Sequence, residues 1–540
     1  MTYTPPIEDQ KFILNHVIGL DALQSLPNQS ELDGDLVDAV LEEAGKLARD
    51  VLAPLNSTGD VEGTTRHDDG SVTTAKGWQD AYNAYRDGGW NAVPFQVDHG
   101  GQGLPWTLAF CVQEMWQGAN MSFGLCPLLN QGAIEAIEAH GSDAQKEYYL
   151  PNMIAGTWTG TMNLTEPQAG SDLAAVKSKA EPADDGSYRI YGQKIFITYG
   201  EHDLADNIIH LVLARLPDAP EGVKGISLFI VPKILSDGTR NDLKCTGIEH
   251  KLGIHASPTC TMQFGDGDGA VGYLVGEAHQ GLKYMFTMMN NARLSVGLQG
   301  VAISEHALQH AGAYAGDRVQ GNGLTIDNHP DVQRMLATMD ALIQAGRAMT
   351  LDAAYNLDKA RTGDVQAQAY VDLITPVVKS WCTDNAMEVT SLGVQIQGGM
   401  GFIEETGAAQ YMRDARILPI YEGTNGIQAM DLVFRKIMRD DGQAIKAWIA
   451  AHEDFEGIKL VKQSLAVLGQ CDQAKAAWIA TPFLNLLGVV MGHIALQKQM
   501  VVIENHDNPD FIDQKKNVAD FYHKNILPRA LQYSGIVMQA

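Results

Sequence analysis

Residues 157–164 read TWTGTMNL, and five runs of the same texture follow: SYRIYG (187–192), QKIFITYG (193–200), NIIHLVLAR (207–215), GISLFIVP (225–232) and CTMQFGD (260–266). Each is short and rich in β-branched and aromatic residues, which suit a pleated, half-buried surface. Gly, Asp and Pro punctuate them. The pattern predicts an antiparallel β-barrel or sandwich from Thr157 to about Leu274, not a series of βαβ units.

On both sides of this stretch the apolar period is helical. Leu36, Val37, Val40, Leu41, Ala44 and Leu47 share one helix face, as do Ala133, Ile134, Ala136 and Ile137 ahead of His140-Gly141. VPFQVDHGGQGLPW (93–106) is a loop by its Pro and Gly content. After Gly276 the pattern predicts a long helix over 282–315 and further helices over 329–361, 366–395 and 424–439, then a helical block over 441–540. Runs of helices and strands in this order predict an α+β multidomain chain. The expected domains are an N-terminal helical domain (1–155), a middle antiparallel β-barrel (156–275), a C-terminal helical bundle (276–440) and a helical C-terminal extension (441–540).

The chain has 540 residues and a formal charge of −26, from 39 Lys and Arg against 65 Asp and Glu. With 45% hydrophobic and 19% charged residues it can bury a large core, and disorder is not expected. So acidic a chain is not built for broad phosphate-backbone binding. Six cysteines without a C-x-x-C pair argue against a disulfide framework or a structural zinc site, and no metal is expected. The start, MTYTPPIEDQ, lacks the basic and apolar regions of a secretory signal, so a cytoplasmic location is expected. From Ala476 to Gln497 there is no charged residue, but Thr481, Pro482, Asn485, Gly488, Gly492, His493 and Gln497 suit a buried soluble helix better than lipid.

Four motifs carry chemistry. In MNLTEPQAGSD (162–172), Thr165 and Ser171 offer hydroxyls, and the Gly170-Ser171-Asp172 turn can present amides to an oxygen anion. In QKIFITYG, strict alternation would set Ile195 and Ile197 on one face and Lys194, Phe196 and Thr198 on the other, the second face suiting a planar heterocycle. The glycines of QIQGGMGF (395–402) allow a backbone to approach a phosphate, and they also end helices routinely. In YMRDARILPIYEGTNGIQ (411–428), Glu422 follows an apolar stretch. Desolvation there would raise its pKa and make it a better base near neutral pH. Thr424 or Asn425 would cap the helix that follows.

These motifs, in this order and context, resemble the acyl-CoA dehydrogenase family of flavoproteins over roughly residues 35–440. Three further strings resemble its 3-methylmercaptopropionyl-CoA dehydrogenase subgroup: YTPPIEDQKFIL (3–14), HGGQGLPW (99–106) and EMWQGANMSFGLCPLLNQGA (114–133). The helical C-terminal extension does so too. The resemblance implies FAD between barrel and bundle, with a contribution from the partner subunit. It also implies desaturation of an acyl-CoA thioester to the trans-2-enoyl-CoA, and an electron-transfer flavoprotein as acceptor. On it Glu422 is the base. Met162, Leu164, Thr165, Gly170, Ser171, Phe196, Ile197 and Thr198 contact flavin or its phosphates. Arg318, Gln395, Gly398 and Gly399 hold the pyrophosphate and adenosine side of the neighbouring subunit's cofactor, and Thr424 and Asn425 touch the diphosphate. Ser171, Tyr284, Asn290, Arg293, Tyr421 and Gly423 serve the CoA substrate. The alternative base position of some members, just before Arg293, is Ala292 here.

The chain departs from the family pattern at four places. Asn290 replaces a common aspartate, DRVQGNG (317–323) lacks a common phenylalanine, Gly426 replaces a glutamate and Gln168 a glycine. In larger relatives such an extension replaces contacts between dimers, so a homodimer is expected. DNA-binding relatives of this fold carry a basic C-terminal domain. Residues 441–540 hold nine Lys or Arg and ten Asp or Glu, and no nucleic-acid partner is expected. An acyl-CoA oxidase shares the first half-reaction and is the nearer alternative. Short-chain, medium-chain and aryl acyl groups compete with 3-methylthiopropanoyl as the substrate.

Overall fold

The structure, a computed structural model, describes residues 3–321 and 323–540, the side chain of Asn290 excepted. The chain forms two compact units, one of residues 50–104 and 120–292, the other of residues 1–49, 105–119 and 293–540.

The first unit carries a small hairpin, β1 (Thr65–Arg66) and β2 (Val72–Thr73), and two consecutive helices lead into its sheet. The helix Met121–His140 starts at Asn120, whose side chain accepts from Phe123 N–H. Asp143–Ile154 starts with a full capping box, Ser142 and Gln145 satisfying each other's backbone. Eight strands follow: β3 (Trp158–Asn163), β4 (Lys179–Pro182), β5 (Tyr188–Thr198), β6 (Asn207–Arg215), β7 (Ile226–Pro232), β8 (Leu243–Ile248), β9 (Thr259–Phe264) and β10 (Ala270–Leu274). They run in the order β10-β7-β6-β4-β5, and β10 also pairs with β5, which closes a five-stranded barrel. β9 and β8 extend from β5.

The pairings are mostly antiparallel. Two depart from the antiparallel expectation: β3 and β4 both run parallel to β6, reached through the long crossovers that parallel neighbours require. β6 and β7 are buried on both faces, which their unbroken apolar runs require. Ile190, Ile197, Val212, Phe229, Val231, Cys260, Met262 and Phe264 form the barrel core.

The strict alternation expected along QKIFITYG does not hold. The β5–β9 register shifts between Lys194 and Ile197, a β-bulge with Phe196 at φ +61°. The extra residue turns Lys194 inward along with Ile197, while Phe196 stands out, 58% exposed.

In the second unit the helices Pro330–Arg361 and Val365–Gln397 form a long antiparallel pair. Asp364 caps the second through Gln366 and Ala367 N–H. The helix Gly281–Asp317 supplies this unit from Arg293 onward. Residues 424–439, expected as one helix, begin α-helical (Asn425–Met430) and continue as a π-helical segment (Asp431–Ile437).

The uncharged stretch lies in the helix Gln473–Val502. It is long and apolar enough to cross a membrane, and 78% of its most apolar window is buried inside the protein. Its glycines allow close crossings. A Cβ at Gly488 would meet the Trp381 ring at 2.4 Å, and one at Gly492 the Tyr522 hydroxyl at 2.5 Å. An ion-pair network under this unit joins Arg347 to Glu114, Glu305 and Asp9, and Asp9 to Lys515. It ties the N-terminal segment and the extension to the bundle.

Candidate active site

Glu422 sits at the centre of a fastened turn in the second unit. Glu422 and Gly423 both have left-handed backbones, φ +55° and +83°. For glutamate that conformation costs on the order of 1–3 kcal/mol, so the surroundings must impose it. The Tyr421 hydroxyl donates to Gln299 Oε1 on the helix Gly281–Asp317. Gln428 Nε2 donates to the Glu422 carbonyl at 3.0 Å. Lys379 Nζ donates to the Gly423 carbonyl at 2.8 Å and to Asn425 Oδ1 at 2.9 Å. Asn425 Nδ2 in turn donates to Asp384 Oδ1 at 2.7 Å. Thr424 is the cap of the next helix, its hydroxyl accepting from Ile427 N–H.

Burial pushes the Glu422 carboxyl above its ordinary pKa, while Arg293 and Lys379 pull it back. Arg293 is buried and paired to Asp431 at 3.4 Å. Burial also pushes Lys379 down to about 7, although Glu422 and Asp384 oppose that. Desolvation makes this carboxylate a stronger base than a solvated one, and the two cations favour its ionised, proton-accepting form.

The first unit arranges the other group of expected residues. Met162 is buried near the end of β3, and Leu164 and Thr165 are half-buried just beyond it. The Thr165 carbonyl accepts from Ile195 N–H on β5 at 2.9 Å, which joins this loop to the bulge. Glu166 is buried beneath the loop. It accepts from Lys194 Nζ at 2.8 Å, the Ser178 hydroxyl at 2.6 Å and Lys177 N–H at 2.7 Å. Lys194 also donates to the Leu164 carbonyl at 3.1 Å. Glu166 and Ala169 exchange both backbone hydrogen bonds, so Gly170 and Ser171 stand at the surface of a closed turn. Ile197 is buried and Thr198 half-buried.

The remaining expected residues are dispersed. Tyr284 stacks on His140 at 4.3 Å, and its hydroxyl accepts from Glu277 N–H. Arg318 is exposed just past the helix Gly281–Asp317, and Gln395, Gly398 and Gly399 are exposed where Val365–Gln397 ends. The Asn290 side chain lies outside the described residues. Among the described residues no group of three His, Cys, Asp or Glu could hold a metal ion.

Several residues in these arrangements were not singled out from sequence, among them Lys379, Gln299, Asp384, Gln428 and the ion-paired Glu166. Lys379 carried one signal, a lone cation in the apolar run ITPVVKSWC (374–382).

Each unit carries residues that suit part of a flavin dinucleotide. The hydroxyls of Thr165, Ser171 and Thr198 make no side-chain hydrogen bond among the described residues, and Arg318 has no carboxylate partner there. A Cβ at Gly170, Gly398 or Gly399 would face open space, leaving these backbones approachable. Phe196 offers an exposed aromatic face.

The acyl-CoA dehydrogenase N-terminal, middle and C-terminal domain profiles match residues 38–157, 161–266 and 279–437. The chain is 45% identical to 3-methylmercaptopropionyl-CoA dehydrogenase of Ruegeria pomeroyi, covering 98% of this chain and 96% of that protein. It is 34% identical to a butyryl-CoA dehydrogenase of Syntrophomonas wolfei over 97% of this chain and 95% of that one. An acyl-CoA dehydrogenase complexed with FAD from Bacillus anthracis shares the fold, with a TM-score of 0.78 at 19% identity, covering 98% of this chain and 91% of that one. The chain belongs to the acyl-CoA dehydrogenases, a family of FAD-dependent oxidoreductases.

Proposed function

We propose that the protein oxidises a short acyl-CoA, 3-methylthiopropanoyl-CoA, to its trans-2-enoyl thioester with Glu422 as the base. The observation that carries this reading is the desolvated Glu422 carboxyl in a turn tied back through both of its carbonyls. With those carbonyls engaged behind the turn, the Glu422 N–H is left to polarise the thioester oxygen and acidify the α-carbon. Glu422 then takes the α-proton. Bound FAD supplies the acceptor for the β-hydride.

Met162, Leu164 and Thr165 on one side and Phe196, Ile197 and Thr198 on the other would hold the flavin ring. Gly170 and Ser171 would meet phosphate oxygens. Thr424 and Asn425 would serve the diphosphate, and Arg318, Gln395, Gly398 and Gly399 the dinucleotide of a second subunit. Arg293, Tyr421, Gly423, Tyr284 and Asn290 would position the thioester.

The acyl assignment rests on the 45% identity to the Ruegeria protein, and butanoyl-CoA is the nearest competitor by the Syntrophomonas relative. We further propose a cytoplasmic homodimer that passes electrons to an electron-transfer flavoprotein and takes no nucleic-acid partner. The burial of the helix Gln473–Val502 supports a chain with no membrane span.

Anaerobic addition of 3-methylthiopropanoyl-, butanoyl-, octanoyl- and phenylpropanoyl-CoA to the FAD-loaded protein tests the substrate. Fastest bleaching by the first supports it. Faster bleaching by another thioester replaces it. Peroxide release during aerobic turnover would favour an oxidase.

A further inference from the structure

Lys379 is fully buried on the helix Val365–Gln397, with Ile374 to Cys382 buried around it. Lysine is almost never fully buried unless paired. Lys379 has no carboxylate within ion-pair distance among the described residues. Its contacts are neutral oxygens, the Gly423 carbonyl at 2.8 Å and Asn425 Oδ1 at 2.9 Å.

The charged groups facing it come from three elements. Glu422 faces it from the turn. Asp384, held by Asn425, lies on its own helix. Arg293, paired to Asp431, comes from the helix Gly281–Asp317. A methionine would fill the same space without the desolvation cost of an ammonium. Its charge acts on two carboxyls, Glu422 first and Asp384 next, and Glu422 is the one in the turn that Lys379 fastens.

We propose that Lys379 is a positioning residue for Glu422: it fastens the Glu422–Gly423 turn through the Gly423 carbonyl and Asn425, and its charge keeps the Glu422 carboxyl ionised. This rests on Glu422 being the base. Lys379 does not touch the reacting atoms. The low value forced on it by burial, about 7, means that its pull on Glu422 weakens above neutral pH.

The test is a pH titration of the Glu422 carboxyl in the FAD-loaded enzyme, read by the infrared band that Glu422→Gln removes. In Lys379→Met the midpoint should rise by about one pH unit, the low end for losing a neighbouring opposite charge. The acid limb of single-turnover flavin bleaching should move with it. Lys379→Arg keeps the charge and should leave the midpoint in place. Lys379→Gln keeps a donor to the Gly423 carbonyl without the charge, and should behave as the Met variant does even if that variant folds poorly. Equal midpoints in wild type and both neutral variants would overturn the proposal, even where their rates fall at every pH. Full bleaching by Glu422→Gln would overturn the base assignment and this proposal together. An inert Glu422→Gln with unmoved midpoints would overturn this proposal alone.

Discussion

Lys194→Met should destabilise the protein far more than replacing both Lys194 and Glu166. The two side chains are 0% and 3% exposed and lie 2.8 Å apart. Burial would raise the Glu166 carboxyl, but Lys194, Ser178 and Lys177 outweigh it and hold the group at about 2. Burial pushes Lys194 down to about 8, against the pull of Glu166. Both are charged at pH 7. A carboxyl lowered from 4.5 to about 2 contributes about 3 kcal/mol at neutral pH, a share lost as pH falls from the upper value through the lower. An ammonium lowered from 10.5 to about 8 costs about the same at pH 7, a cost that fades as pH rises through that window. The same attraction enters both shifts, so the pair offsets much of its burial cost and its net contribution is small, but one partner alone keeps only the cost.

Lys194→Met should therefore cost about 3 kcal/mol or more, and the Glu166→Gln/Lys194→Met double variant about 1. Urea unfolding at pH 7 of wild type, Lys194→Met, Glu166→Gln and the double variant, with m values compared across all four, reads both numbers. A double variant whose loss equals the sum of the single losses would refute the reasoning. The single variant should also lose flavin, because Lys194 holds the Leu164 carbonyl of the loop that ends in Ser171.

Other consequences follow from particular contacts. Gly488→Ala should cost about 1–3 kcal/mol by overpacking, since its methyl would lie 2.4 Å from the Trp381 ring; a melting temperature equal to wild type would show that the crossing is loose. Phe196→Gly should leave the apoprotein as stable or more so, because φ +61° suits glycine, while weakening FAD binding by about three- to tenfold through the lost aromatic face; equal FAD affinity by fluorescence titration would remove Phe196 from the flavin site. His202 and His210 are held down to about 3, mainly by burial and then by Lys233, so the unfolded chain takes protons below about pH 6.5 that the folded chain does not. Stability should fall by about 2 kcal/mol for each histidine between pH 7 and pH 5, and a His202→Gln/His210→Gln variant with an unchanged pH slope in thermal melts would contradict that.

Much of the fold was legible because its signals are local. The six β-branched runs mark five of the eight strands, β3, β5, β6, β7 and β9, two of them falling on β5, and the apolar period marks the helices Gly281–Asp317, Pro330–Arg361 and Val365–Gln397 to within a few residues. The parallel pairing of β3 with β6 was not legible, because partner choice is a tertiary property that strand composition does not encode. Nor was the bulge at Phe196. One extra residue leaves hydropathy unchanged and reverses the inside-outside assignment of Lys194 relative to Phe196. Glu422 stood out from the apolar residues ahead of it, since desolvation depends first on near neighbours. The partners that fasten its turn did not. Lys379, Gln299 and Asp384 lie tens of residues away in sequence, and only the packed bundle brings them to Tyr421, Gly423 and Asn425.

The most direct measurement is anaerobic flavin bleaching by 3-methylthiopropanoyl-CoA in wild type and in Glu422→Gln, with FAD content matched by absorbance. Rapid bleaching in the first and none in the second, with FAD still bound, is the expected result. Equal bleaching in both, or no bleaching of the wild type by any thioester, would contradict the assignment of Glu422 as the base of an acyl-CoA dehydrogenase.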